Sequence, residues 1–374
     1  MAAEIGRRRW LGTLARGYRQ ASVYPDDVPP GRFTRCQGIA MSTDLQAKID
    51  RLSRPEAYPE DSPTVEVVTT HMSCVFLTAQ HAYKLKKPVR YPFLDFSTIE
   101  ARHRDCVEEV RLNRRLAPGV YLRVVPLAAG PTGRLTLGGE GRLVDWLVQM
   151  RRLPKELMLD QLIHRGEVTD DDVRRFTRTL SDFYRQACAE RLGPADYRYR
   201  LAQDIRQHAL ELSEPAYGLP TDLATGTAAV LLAVLEKDRR LFDRRVRDRK
   251  ILEGHGDLRP EHICIGPLPL FIDCLEFNRG FRIVDPADEL AYLALECEYA
   301  AAPRIGELVL DTYAAATGDR PPARVVHFHK ACRALLRAKL SIWHLKDHEA
   351  GETARWGRRA RRYLDLAGEY CGRL

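Results

Sequence analysis

Three short apolar-rich runs after Pro63 have the pattern of strands: Val65-Glu66-Val67-Val68-Thr69, Cys74-Val75-Phe76-Leu77 and Ala82-Tyr83-Lys84-Leu85. Their succession predicts an antiparallel sheet. Ser97-Thr98-Ile99-Glu100 then has the spacing of a capping box. Ile99, Cys106 and Val110 recur at helical intervals until Pro118-Gly119, which predicts one helix. Val120 to Leu127 and Leu143 to Met150 read as further strands around a turn at Gly138-Gly139. Beyond Arg151-Arg152-Leu153-Pro154 the period lengthens to that of amphipathic helices. Val173, Phe176, Leu180 and Phe183 mark one, Ala229 to Arg247 a second, Val325 to Leu345 a third and Ala354 to Tyr370 a fourth. A non-helical stretch from His255 to Phe277 interrupts them. In it Ile263-Cys264-Ile265 and Leu270-Phe271-Ile272 flank Gly266-Pro267 and Pro269, the pattern of a small hairpin. A mostly β half thus precedes a mostly α half.

Residues 1–40 show no sustained apolar period and carry Arg7-Arg8-Arg9 and Pro29-Pro30-Gly31, the composition of a mobile extension. The expected organisation is a disordered basic extension over 1–55, a sheet-rich N-lobe over 56–152 and a helical C-lobe over 153–374. The chain has 374 residues, 45% apolar and 29% charged, ample for two domains. No apolar run reaches the roughly 18 residues that cross a bilayer, and the start lacks a signal-peptide stretch. A cytoplasmic protein without a membrane partner is expected. Nine cysteines without a Cys-x-x-Cys pair suggest neither a disulfide framework nor a thiolate metal site. The net charge of +8 raises the question of nucleic acid. Half of it lies in residues 1–40, seven arginines against Glu4, Asp26 and Asp27, and the rest is dispersed. A solvated surface with a basic tail explains that distribution better than a phosphate-backbone groove.

The chemistry concentrates where the hairpin is predicted. A carboxylate before its first strand and another at the end of its second are held near each other, and Asp257 and Asp273 occupy those places. His255-Gly256-Asp257-Leu258-Arg259-Pro260-Glu261-His262 resembles the catalytic loop of the aminoglycoside phosphotransferase-like families, H-G-D-x-x-x-x-N. Phe271-Ile272-Asp273 resembles the segment with their metal-binding aspartate. More narrowly, Tyr83-Lys84-Leu85-Lys86-Lys87-Pro88, Phe93-Leu94-Asp95-Phe96-Ser97 and Leu112-Asn113-Arg114-Arg115-Leu116-Ala117-Pro118 are similar to a bacterial group within these families. Some of its members carry an additional C-terminal ATP-binding domain, whose G-x-x-x-x-G-K-[ST] run does not occur here. The resemblance covers roughly residues 60 to 300.

That resemblance implies an α+β, bilobal protein-kinase-like fold: a small antiparallel-sheet N-lobe with one helix and a larger, mostly helical C-lobe. It implies a phosphotransferase that takes ATP and Mg²⁺, with Mn²⁺ as an alternative, in the cleft between lobes and acts on a hydroxyl of an unidentified small molecule. Asp257 would orient and help deprotonate that hydroxyl, and Asp273 would hold the metal. Lys84 resembles the phosphate-contacting lysine of the third kinase strand and Glu109 its partner on the following helix. Lys86, on the same strand face as Lys84, and Lys87, on the other, are rivals, as Glu108 is for Glu109.

Two positions depart from the pattern. His262 replaces the usual Asn, and imidazole suits Mn²⁺ or Zn²⁺ better than Mg²⁺, so His262 is a candidate metal contact. The turn between the first two strands has no Gly. A catalytically silent pseudokinase and a nucleotidyl-transferring enzyme on the same fold are the alternatives to phosphoryl transfer. Asp285 and Asp288 read as a helix cap that supports the catalytic loop, Asp170-Asp171-Asp172 as a helix start, and Arg358 to Arg362 as a solvated helix face. The histidines of His327-Phe328-His329 splay on a helix and make a poor metal pair.

Overall fold

In the computed structural model, which describes residues 44–91, 93–344 and 350–374, each of the three runs after Pro63 gives a strand. β1 (Glu66–Thr69), β2 (Ser73–Leu77) and β3 (His81–Lys86) pair antiparallel. With β6 (Tyr121–Ala129), β7 (Leu135–Leu137) and β8 (Arg142–Arg151) they form a six-stranded sheet in the order β1-β2-β3-β8-β6-β7. β4 (Arg90–Tyr91) and β5 (Leu94–Asp95) make a separate short hairpin. In place of the single turn expected around Gly138-Gly139, β7 inserts a further strand before the chain turns at Gly138, whose φ of +65° suits glycine.

The register sets Phe76 opposite Tyr83 and Leu85 opposite Leu147, and these four join one core with Leu52 and Tyr58. Residues alternate across a strand, so Lys84 and Lys86 take the opposite face, that of helix α2 (Ile99–Asn113). Thr98 caps α2, accepting from the Ala101 N–H. Ser97, placed by the sequence at the start of a capping box, donates instead to Asp95. The glycine-free β1–β2 turn is closed by hydroxyls: the Ser73 N–H donates to Thr70 Oγ1 at 3.0 Å.

Helix α1 (Leu45–Leu52) corrects the expectation that the extension runs disordered to residue 55. Leu52 is buried in the sheet core and Lys48 pairs with Asp145 at 2.7 Å, a carboxylate that also takes both arms of Arg102. Residues 1–43 lie outside the described residues.

The chain divides into two compact units: the described residues up to Leu157 together with Gly266–Asn278, and Met158–Ile265 together with Arg279–Leu374. Residues 266–278, including β11 (Leu270–Phe271), were expected in the helical lobe. They belong to the sheet-bearing unit because its polar groups hold their backbone. The Asp273 N–H donates to Tyr121 Oη at 3.0 Å and the Cys274 N–H to Asn113 Oδ1 at 2.9 Å.

The second unit consists of α3 (Leu159–Arg165), α4 (Asp170–Gln186), α5 (Pro194–Leu212), α6 (Thr221–Lys237), α7 (Arg239–Arg247), α8 (Pro286–Tyr299), α9 (Pro303–Thr317), α10 (Ala323–Trp343) and α11 (Ala350–Cys371). The short strands β9 (Leu252–Glu253), β10 (Ile263–Cys264) and β12 (Ile283–Val284) lie among them, with β9 and β12 paired. Leu231, Phe328, Leu335, Ile342 and Leu364 mark its core.

The helix read as Ala229 to Arg247 is two, because Asp238 leaves helical geometry (φ −103°, ψ 22°) and its carboxylate accepts from Arg324 at 2.6 Å. Helices α3, α5 and α9 are additional to those expected; α8, announced in the sequence only by its cap at Asp285, is buried on nearly every face, so it lacks the polar stripe that marks an amphipathic helix. Asp170 to Asp172 do start α4, behind a capping box from Thr169. Arg359 and Arg362 are not simply solvated, since their guanidinium groups lie 5.8 and 4.1 Å from the centre of the Tyr299 ring. Among the described residues no helix is long and apolar enough to cross a membrane.

Candidate functional site

Within the sheet-bearing unit the structure brings together three of the five residues singled out in the sequence. Lys84 Nζ donates to Glu109 Oε1 at 2.9 Å and to Asp273 Oδ1 at 2.8 Å. Burial alone would lower this ammonium's pKa. The charge of Asp273, then those of Glu109 and Glu276, outweigh burial and hold it well above the usual lysine value. Glu109 is fully buried, and burial pushes its carboxyl up against the pull of Lys84 and Lys86.

Asp273 takes a φ of +60°, a left-handed backbone that a short polar side chain tolerates at some strain. Its side chain keeps 47% exposure, whereas Glu109 keeps 1%. The motif around Asn113 gains a physical meaning here. Asn113 donates to the Glu109 carbonyl and accepts from Cys274, and the Leu116 carbonyl accepts from the Phe271 N–H at 3.3 Å, so one helix end anchors the stretch that carries Asp273.

Lys86 shares the face of Lys84, as strand alternation predicts, and bonds the other oxygen of Glu109 at 2.6 Å. Asp105 and Glu276 complete its shell at 2.6 and 2.5 Å. Asp105, Glu109 and Glu276 offer oxygens within 4.8 Å of one another, the spacing of a cation site, and the Lys86 ammonium fills it. Lys87 points elsewhere, donating to the Thr70 carbonyl, and Glu108 pairs with Arg111 outside this cluster. Glu276, Asp105 and Tyr121 escaped the sequence reading. The spacing of Asp105 and Glu109, four apart on one helix, was the available signal for one of them.

The other two candidates lie in the helical unit, in the loop that follows β9. Gly256 has φ +89°, and its N–H donates to Glu289 Oε1. Gly254 lets the same carboxylate approach, since a Cβ there would sit 2.5 Å from Glu289 Oε2. Tyr184 donates to that oxygen at 2.9 Å. Burial pushes the Glu289 carboxyl up despite these two donors.

Asp257 receives Tyr292 Oη on Oδ1 and Arg259 Nε on Oδ2, each at 3.1 Å. Burial would lower the pKa of Arg259, but Asp257, Tyr292 and Glu261 raise it, so the guanidinium stays charged. His262 Nδ1 stands 2.8 Å from the Asp257 carbonyl, which fixes it as the donor, and Nε2 then accepts from Arg259 Nη2 at 3.1 Å. Both ring nitrogens are thus engaged inside the loop, and neither presents a lone pair as a metal ligand.

Asp285 caps α8 as expected, accepting from the Ala287 N–H, and is gripped by both arms of Arg245. Asp288 pairs with Arg333. Direct support of the loop from His255 to His262 comes from Glu289 and Tyr292 further along the same helix. His329 is buried next to Phe328 and Phe242, and His327 lies 5.6 Å from the Tyr370 ring.

No family model matches the chain. The uncharacterized protein Rv2004c of Mycobacterium tuberculosis is 30% identical over 292 residues, 76% of this chain and 56% of that protein, so the chain spans little more than half the length of this curated relative. The uncharacterized protein Mb2027c of Mycobacterium bovis matches equally. Among solved structures, a choline kinase from Cryptosporidium parvum superposes with a TM-score of 0.51 at 11% identity, covering 87% of this chain and 95% of that one. An aminoglycoside phosphotransferase from Streptomyces rimosus, solved with ADP and streptomycin, gives a TM-score of 0.45 at 17% identity over 76% and 96%. The likeness to the choline kinase establishes the protein-kinase-like fold, an antiparallel-sheet lobe with a helical lobe.

Proposed function

We propose that the chain is an ATP-dependent phosphotransferase acting on a hydroxyl of a small molecule. The observation that carries this reading is the Lys84 ammonium, held charged by a buried glutamate and by an aspartate on strained backbone. Phosphoryl transfer needs a fixed cation on the phosphates and little covalent chemistry. In this reading Lys84 contacts the α- and β-phosphates and Glu109 fixes its position. Asp273, a hard oxygen donor with an accessible side chain, fits Mg²⁺, which takes few protein ligands and fills its remaining positions with water and phosphate oxygens. When bound, the ion supplies positive charge to the β- and γ-phosphate oxygens. Asp257 orients the acceptor hydroxyl and accepts its proton, with Tyr292 and Arg259 fixing the rotamer of its carboxylate. His262 acts as an internal brace of the loop.

One observation favours a second reading, a silent nucleotide-binding protein: the Asn position is filled by a ring whose nitrogens are used inside the loop, which removes one oxygen donor. The experiment is a screen of hydroxyl acceptors with labelled ATP and Mg²⁺ or Mn²⁺. Turnover that falls by about 10²- to 10⁴-fold in Asp257→Asn supports the enzyme. Nucleotide binding without turnover under any condition supports the silent reading. A product heavier by a whole nucleoside monophosphate would replace both with nucleotidyl transfer.

A further inference from the structure

The reading above leaves Lys86 without a role. Its side chain is 1% exposed and its Nζ meets Asp105, Glu109 and Glu276, with the Phe96 ring centre 5.2 Å away. Asp105 and Glu109 lie on α2 and Glu276 lies in residues 266–278. The same two pieces of chain supply both partners of Lys84, namely Glu109 and Asp273. Glu109 joins the two lysines directly, giving one oxygen to each. A buried ion network adds little stability over apolar packing, whereas fixing one arrangement of several elements is a use such networks do have.

We propose that Lys86 and Glu276 form a positioning pair for Lys84. They fix the second oxygen of Glu109 and the stretch after Asp273, so that the Lys84 ammonium keeps the place from which it meets a nucleotide phosphate. The proposal rests on the assignment of Lys84 to nucleotide binding. Neither Lys86 nor Glu276 touches the nucleotide in this account; they act through Glu109 and through the backbone that carries Asp273.

The test uses the full chain, with thermal melting to check folding and calorimetric titration with ADP and with adenosine, which has no phosphate for Lys84 to meet. Lys84→Met should weaken ADP and spare adenosine; failure of the unaltered protein to bind ADP, or indifference of ADP to Lys84→Met, overturns both the nucleotide assignment and the pair. Glu276→Gln keeps the size of the side chain and removes its charge. It should weaken ADP about tenfold while adenosine stays within about twofold, the scale of coupling inside one network. Equal weakening of both ligands marks a general loosening of the unit and overturns the positioning role, as does unchanged ADP affinity, while either leaves the Lys84 assignment standing. If Glu276→Gln does not fold, Asp105→Asn, which removes another counter-charge of the Lys86 ammonium, is read by the same ratio with an expected loss of about three- to fivefold for ADP alone.

Discussion

The lysine cluster of the sheet-bearing unit and the Asp257 loop of the helical unit hold their carboxylates by opposite means. The cluster gathers residues 84–86, 105–113, 121 and 273–276, distant in sequence, and gives each lysine more than one counter-charge. The loop bonds largely within its own eight residues and also takes Glu289 and Tyr292 from one helix. Redundant long-range pairing tolerates the loss of a member. A loop held mostly by near neighbours tolerates it less.

The largest effect that could break this contrast is expected at Glu289. Glu289→Ala leaves the Gly256 N–H and the Tyr184 hydroxyl without their carboxylate in a buried place, a loss of about 2 to 4 kcal/mol in denaturant unfolding. Asp105→Asn, which leaves Lys86 with Glu109 and Glu276, should lose under about 1 kcal/mol in the same measurement. Comparable losses at the two sites would erase the distinction.

A smaller effect sharpens it. Tyr292→Phe removes one of the hydrogen bonds to Asp257 and should lower kcat by about three- to tenfold with KM for ATP unchanged, once an acceptor is in hand. The smallest is a matter of pH. The folded pKa of Glu289 lies above the usual 4.5, so its contribution to stability is complete below that value and is lost as pH rises through the folded pKa. Asp288 behaves inversely. Burial would raise it, but Arg333 holds it below the usual 3.8, so its contribution is present above that value and is lost as pH falls through the folded pKa. Thermal melts from acid to neutral pH should therefore show a shallower decline on the rising side in Glu289→Gln than in the unaltered chain.

The same contrast governs what the sequence made legible. The strands after Pro63, the helix from Ile99 and the loop from His255 to His262 stand out because their signals are local: alternation, a cap, a short motif. Lys84 and Glu109 are singled out by the family resemblance, and strand periodicity places Lys86 on the same face as Lys84. Glu276 and Tyr121 carry no such mark, since their partners lie 190 and 152 residues away. Helix α8 shows only its cap, Asp285, in the sequence, because it is buried on nearly all sides and its buried acids, Glu289 and Glu296, look like surface charge in one dimension. At His262 the sequence shows a candidate ligand and hides that the ring bonds its own loop. Residues 45–52 were read as part of an extension for a similar reason, because α1 gains its order from Asp145 and the sheet core, nearly a hundred residues on.

The stretch from Gly266 to Asn278 gives the sheet-bearing unit a timetable as well as a shape. A ribosome releases the strands and α2 long before it reaches Glu276, so the nascent unit exists for more than a hundred residues of synthesis with Lys84 and Lys86 facing only Asp105 and Glu109. Its last two counter-charges arrive after all of α3 to α7 has already been made. Any fragment that stops at Leu157 is frozen at that earlier moment, which makes the unit a discontinuous one that no single cut of the chain can isolate intact.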